Sequence, residues 1–385
     1  MKDKVRAKIK ASATLATAEL AQRLREQGER IIRFDLGEPD FDTPPQVKEA
    51  AYEALKRGYT HYSSSRGIPE LREAIAANLR DRKVEADPES EIIVTPGAKF
   101  AILASMKSTI APGDEVILLS PYWPTFQNCV ELIEGKPVPL DLDGQYHIKE
   151  ESLKNAVGRK TRMIVVNSPL NPTGTIFDKD DLRIVRDLAI DHDLIVLSDE
   201  IYKSFVYDGV KHTSVKALPD MYDRTILVDG LSKDYAMTGW RLGYAVADRE
   251  IIEAMIRISQ NTVTCAAPFV QYAGVVALKN AGSYVDRFRR KFDGRRKLVI
   301  SLLGQIDQIR YVRPVATFYV FPDVSAYGLS SLEFSKRLLK KTGVSVVPGI
   351  AFGQAGEGHV RLSYSTSRHE IIQGFDKIRG FLMGL

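Results

Sequence analysis

Lys233 closes the stretch Asp229-Gly230-Leu231-Ser232-Lys233, which follows the apolar run Thr225-Ile226-Leu227-Val228. An amine held where a buried strand ends can attack a carbonyl once it has lost its proton. A second run, Leu194-Ile195-Val196-Leu197, delivers Ser198-Asp199-Glu200-Ile201-Tyr202, a carboxylate with a phenol three residues on. A third, Met163-Ile164-Val165-Val166, delivers Asn167-Ser168-Pro169-Leu170-Asn171-Pro172-Thr173-Gly174 and so an amide at Asn171. Val116-Ile117-Leu118-Leu119 leads into Ser120-Pro121-Tyr122-Trp123, an indole. Ile92-Ile93-Val94 leads into Thr95-Pro96-Gly97-Ala98-Lys99 at the start of a helical pattern. Backbone amides at a helix start bind anions.

These residues matter together only if the elements beneath them bring them to one place. The five runs are continuously apolar rather than alternating, the pattern of strands buried on both faces, and helical patterns lie between them. The expected fold is α/β, with a mostly parallel central sheet flanked by helices. Ligands of such sheets bind beyond the carboxyl ends of the strands, where all five groups fall. Each group alone has an ordinary reading. Gly97 suits a tight turn, Trp123 suits packing, and Asn171 beside Pro172 suits a turn. Asp199 suits a helix cap and Lys233 a solvated charge. Their coincidence at one sheet edge favours a site.

The remaining sequence sets the frame. Residues 15–30 and 46–57 read as helices. From about residue 285 the pattern changes, with a charged helix over 286–296, strands near 316–321 and 359–364, and helices between and after. A second, smaller α+β domain is expected. With 385 residues, 44% hydrophobic and 27% charged, the chain is an ordinary globular one of about two domains. Its formal charge of +5 is spread over 54 basic and 49 acidic side chains, which argues against a nucleic-acid partner. The two cysteines, Cys129 and Cys265, fit a reducing compartment, and no apolar run approaches the roughly 20 residues of a membrane span. The cytoplasm is the expected location.

Cofactor motifs narrow the chemistry. There is no G-x-G-x-x-G, no G-x-x-x-x-G-K-[ST] and no histidine pairing at metal-ligand spacing, so no metal is expected. An amine, an acid, an anion-binding helix start and a stacking ring are the set that pyridoxal 5′-phosphate requires. At this point the chain resembles the class I/II aminotransferases of the fold type I pyridoxal-phosphate enzymes, and most of all the prokaryotic aspartate aminotransferase subgroup. The carriers are GEPDFDT at 37–43, Tyr62 with GIPELR at 67–72, SPYW at 120–123, NSPLNPTG at 167–174 and SDEIY at 198–202. Ser232-Lys233 with MTGWRLGY at 237–244, and RLSY at 361–364, complete them. In this order they are specific, from about Ser12 to the end of the sequence.

The resemblance implies roles. Lys233 would carry the cofactor aldehyde and act as general base, Asp199 would keep the pyridine nitrogen protonated, and Tyr202 and Asn171 would bond the ring oxygen. Trp123 would stack on the ring and also touch substrate. Gly97, Ala98 and Lys99 would hold the phosphate with Ser232 and Arg241. Relatives often carry a hydroxyl three residues before the lysine, where this chain has Gly230. Tyr62 would reach the phosphate of a neighbouring subunit, implying a homodimer with shared sites. Arg361 would bind the substrate α-carboxylate beside Gly37, and Lys99 with Thr14 would meet a distal carboxylate. The chain would divide into 1–45, an N-terminal arm and part of a small domain; 46–285, a large cofactor-binding domain; and 286–385, the rest of the small domain. Amino acids and 2-oxo acids are the implied substrates, with L-aspartate and 2-oxoglutarate first and an aromatic or broad donor range second. A carbon–sulfur β-lyase would share Lys233, Asp199 and Arg361. A non-catalytic regulator would need a DNA-binding domain ahead of Gly37, for which the preceding stretch is too short.

Overall fold

The computed structural model describes residues 13–385, with the backbone alone for residues 13–18. Seven strands form the central sheet in the order Ile92–Thr95, Gly243–Val246, Thr225–Gly230, Ile195–Asp199, Thr161–Asn167, Glu115–Ser120 and Lys136–Asp141. All run parallel except Gly243–Val246, which is antiparallel to both neighbours. The five apolar runs are thus five of the six parallel strands, and their side chains are almost wholly buried. Helices cover both faces, so each strand needs apolar side chains up and down.

Two strands escaped the apolar pattern. Lys136–Asp141 is half exposed and carries Pro137 and Pro139, residues that a sheet tolerates only at its edge. Gly243–Val246 lies in the reversed strand that brings Arg241 back to the rim, and its Gly-Tyr start does not read as a strand.

The second unit joins both ends of the described chain. Ile32–Arg33 pairs in parallel with Val344–Ser345, and Val347–Pro348, Val360–Ser363 and Tyr319–Val320 form a small antiparallel sheet. Helices Gly282–Leu303, Ser331–Thr342 and Arg368–Leu382 pack on these strands. The charged helix begins four residues earlier and ends seven later than the pattern at 286–296 suggested, because Leu302 and Leu303 also enter the core. Phe34, Phe288, Phe292, Phe318 and Phe375 form the centre of this core, which also takes in Tyr202 and Phe205 from the loop after Asp199. The sheet rim and the second unit therefore share one apolar body. No helix among the described residues is long and apolar enough to cross a membrane.

Candidate active site

The carboxyl ends of the strands open on a cavity of about 400 Å³, within the size range of small-molecule sites. Lys233, Asp199, Tyr202, Asn171 and Trp123 line it, as do Ala98, Lys99, Ser232 and Arg241. From the second unit come Gly37 and Arg361. Eleven of the residues singled out in the sequence thus meet, nine from six strand ends of the central sheet and two from the second unit.

The anion cradle is built by close backbone approach. Gly97 has φ of 85°, and a Cβ there would collide with the Arg241 guanidinium. A Cβ on Gly243 would likewise collide with the Ala98 nitrogen. Only glycines let Arg241 reach the start of helix Ala98–Thr109, which has no side-chain cap and so leaves its first amides open. Arg241 itself has φ of 55°, a strained position of the kind found at ligand clamps. At Gly230 a Cβ would stand 2.9 Å from the Leu242 carbonyl, so the hydroxyl that the resemblance led one to expect there has no room in this chain.

The acid and the amine sit in unlike surroundings. Asp199 is buried, and Oδ1 accepts a bond from Ile201 N–H at 3.2 Å. Burial, with Asp229 and Glu200 nearby, raises its carboxyl to about 7. The Lys233 amine donates to the Gly37 carbonyl at 2.5 Å. Burial lowers it to about 8, helped by Arg361 and Arg241 and opposed by Glu38. Arg361 is buried; it donates to Asn171 Oδ1 at 3.0 Å and to the Asp35 carbonyl at 2.8 Å, while its Nε has no protein partner. A planar guanidinium lining the cavity suits a carboxylate. Lys99 is exposed, with its amine 5.2 Å from the Trp123 ring centroid and no carboxylate within 4.0 Å among the described residues. Partial desolvation and the nearby Arg241 lower its pKa.

An ionic frame stands behind this rim. The residues that directly follow Asp199, Tyr202 and Lys233 are Glu200, Lys203 and Asp234, and all three belong to it. Arg82 bridges Glu200 at 2.9 Å and Asp229 at 3.0 Å, and Lys203 bridges Asp229 at 2.9 Å and Asp234 at 2.7 Å. Tyr244 donates to Asp229 at 2.9 Å. Lys203 and Arg82 more than offset burial and keep Asp229 below the usual carboxylate range.

Two expected residues stand apart. Tyr62 is 85% exposed and does not line the cavity. The side chain of Thr14 lies outside the described residues. In turn the cavity includes Asp35, Asn167, Thr238 and Tyr319, which the sequence reading did not single out. Asn167 and Thr238 lie inside motifs already quoted, Asp35 lies two residues before one, and Tyr319 lies in the strand expected near 316–321.

The donor set fits pyridoxal 5′-phosphate: an amine, a buried acid with one bonded oxygen, a stacking indole and an uncapped helix start with an arginine. Comparison with known proteins agrees. Residues 29–378 match the family described as aminotransferase class I and II. An aspartate aminotransferase of Pyrococcus abyssi is 44% identical over 91% of this chain and 92% of its own. Aromatic-amino-acid aminotransferase 2 of Thermococcus litoralis is 42% identical over 92% of each. A solved aspartate aminotransferase of Thermus thermophilus with maleate superposes with a TM-score of 0.92 at 39% identity, covering 97% of both chains. With sheet, cavity and relatives in accord, this chain belongs to the class I and II aminotransferases, enzymes that work with pyridoxal 5′-phosphate.

Proposed function

We propose that the enzyme transfers the amino group of L-aspartate to 2-oxoglutarate. The observation that carries this reading is the presence of two cations, Arg361 and Lys99, on one cavity. A dicarboxylic substrate needs a partner at each end, and among the described residues Lys99 has no carboxylate within 4.0 Å. The names of several relatives support the acidic donor, and the Thermus structure was solved with maleate, a four-carbon dicarboxylate.

The bound cofactor supplies an electron sink for charge that develops at the substrate α-carbon. The protein does the rest. Arg361 fixes the α-carboxylate and Asn171 fixes Arg361. Lys233 takes the proton from the α-carbon at Nζ, and a pKa of about 8 suits a base at neutral to mildly alkaline pH. Asp199 would pair with the ring nitrogen of the bound cofactor and hold its proton. Tyr202 and Asn171 would bond the ring oxygen, Trp123 would stack on the ring, and Gly97, Ala98, Lys99, Ser232 and Arg241 would hold the phosphate. Gly37 lies beside the α-carboxylate, 3.8 Å from Arg361 as measured from an added Cβ.

Residues 1–45 and 286–385 are read as one small domain against the large domain 46–285, supported by the pairing of Ile32 with Val344. The exposed Tyr62 supports a homodimer in which it enters the partner's site, and Thr14 is read as a second contact to the distal carboxylate. Two free cysteines support the cytoplasm. An aromatic donor is the second reading, supported by the Thermococcus relative and by Trp123 and Tyr319 on the cavity. A screen of amino donors with 2-oxoglutarate separates these readings. Glutamate formed fastest from aspartate supports the first, and fastest from phenylalanine or tyrosine overturns it. Release of ammonia and pyruvate without glutamate would indicate a β-lyase instead.

A further inference from the structure

Tyr319 is wholly buried and stands between the two halves of the site. Its hydroxyl lies 2.8 Å from that of Tyr202. Its ring centroid is 4.4 Å from the Arg361 guanidinium carbon, and its hydroxyl is the first atom that a Cβ on Gly37 would meet, at 3.0 Å. The strand Tyr319–Val320 pairs with Val360–Ser363, which carries Arg361, so ring and guanidinium are set by one small sheet. Thr317, with φ of 59°, bonds the Tyr319 N–H at 3.1 Å and fixes the turn into that strand.

We propose that Tyr319 is a positioning residue that donates its hydroxyl hydrogen to Tyr202 while its ring seats Arg361, so that cofactor electronics and carboxylate binding share one side chain. The argument rests on the role given above to Tyr202. Two neutral phenols in contact have one donor and one acceptor. If Tyr202 is to give its own hydrogen to the ring oxygen of the cofactor, it must accept from Tyr319. A hydroxyl that accepts a bond becomes a better donor, by about 10–30% per bond. Tyr319 therefore strengthens the bond from Tyr202 to a negative ring oxygen and makes the nitrogen joined to Lys233 less basic. Burial raises the pKa of both phenols, so neither ionises near neutral pH. The charged groups facing the pair are Arg361, Asp199 and Glu38, with the Lys233 amine 6.0 Å from the Tyr202 ring.

The test is a spectroscopic pH titration of the chromophore in cofactor-loaded enzyme, with steady-state kinetics beside it. Tyr319→Phe keeps the ring and loses the hydroxyl. Its chromophore pKa should rise by at least about 0.3 pH unit, with kcat lowered and KM for the amino donor little changed. Tyr319→Leu loses the ring as well, so KM should rise several-fold. Tyr202→Phe should raise the same chromophore pKa further, and adding Tyr319→Phe to it should change nothing more. A Tyr319→Phe titration matching wild type, while Tyr202→Phe shifts, overturns the proposal and leaves the reading of Tyr202 intact. A silent Tyr202→Phe overturns both. Additive shifts in the double variant also overturn it, because the hydroxyl would then act without Tyr202.

Discussion

The amine of Lys233 and the carbonyl of Gly37 are joined at 2.5 Å across 196 residues of sequence. This bond ties the rim of the central sheet to the segment leading into the second unit. Any carbonyl that takes the amine also releases Gly37, so cofactor capture and freedom of that segment are coupled at one nitrogen.

Capture should therefore follow the protonation of Lys233. The neutral amine attacks and the ammonium does not, and burial lowers this group to about 8. The rate of chromophore formation in cofactor-free protein should climb through about pH 8, well below the range of an exposed lysine. Borohydride should then fix the label to Lys233 on peptide mapping, and Lys233→Ala should bind the cofactor without exchanging amino groups.

Asp199 predicts a slope of stability against pH in the cofactor-free protein. Its carboxyl is raised from 3.8 to about 7, so between those values the folded state holds more protons than the unfolded one. The contribution of Asp199 to stability is then most favourable below about pH 4 and falls as pH rises toward 7, by something on the order of 4 kcal/mol for a buried group. Denaturant titrations of wild type and Asp199→Asn at the two ends should show this slope as the difference between them. The same variant, loaded with cofactor, should lose at least about a hundredfold in turnover because an amide cannot hold the ring proton. Near-normal turnover would leave Asp199 as a cap for Ile201.

Lys99→Ala should lower kcat/KM for aspartate by at least about tenfold while sparing phenylalanine, since losing one partner of a partly desolvated ion pair costs about 2–5 kcal/mol. If both donors fall together, Lys99 serves the phosphate instead. If neither moves, the aromatic reading gains.

Mixing Lys233→Ala with Tyr62→Phe subunits tests shared sites. When Tyr62 enters the partner's cavity, each hybrid dimer holds one intact site and one doubly defective site. Kinetics of intact sites, absent from both parents, are the expected result.

How much of this was legible in the sequence follows from what a strand must bury. Five of the parallel strands announced themselves because both faces are covered, and the reactive groups stood out because they follow those strands directly. Lys136–Asp141 was hidden by its prolines and its exposed edge. Tyr319 was hidden for the opposite reason: a tyrosine inside an apolar run reads as packing, and only the three-dimensional pairing shows its hydroxyl on Tyr202. The ionic frame was also out of reach, because Arg82 and Glu200 are 118 residues apart and each alone looks like a surface charge.

Heat should expose what that frame does. Keeping Arg82, Glu200, Asp229, Lys203 and Asp234 away from water is costly when cold, but charged groups are hydrated less favourably as temperature rises, so the penalty shrinks on warming. Apolar contacts such as those of Phe34, Phe288 and Phe375 gain no such advantage. The loop ends carrying Asp199, Tyr202 and Lys233 are pinned through their next residues to the part of the molecule that heating weakens least. Thermal inactivation should then coincide with global unfolding instead of preceding it, and the site should keep working up to the edge of melting.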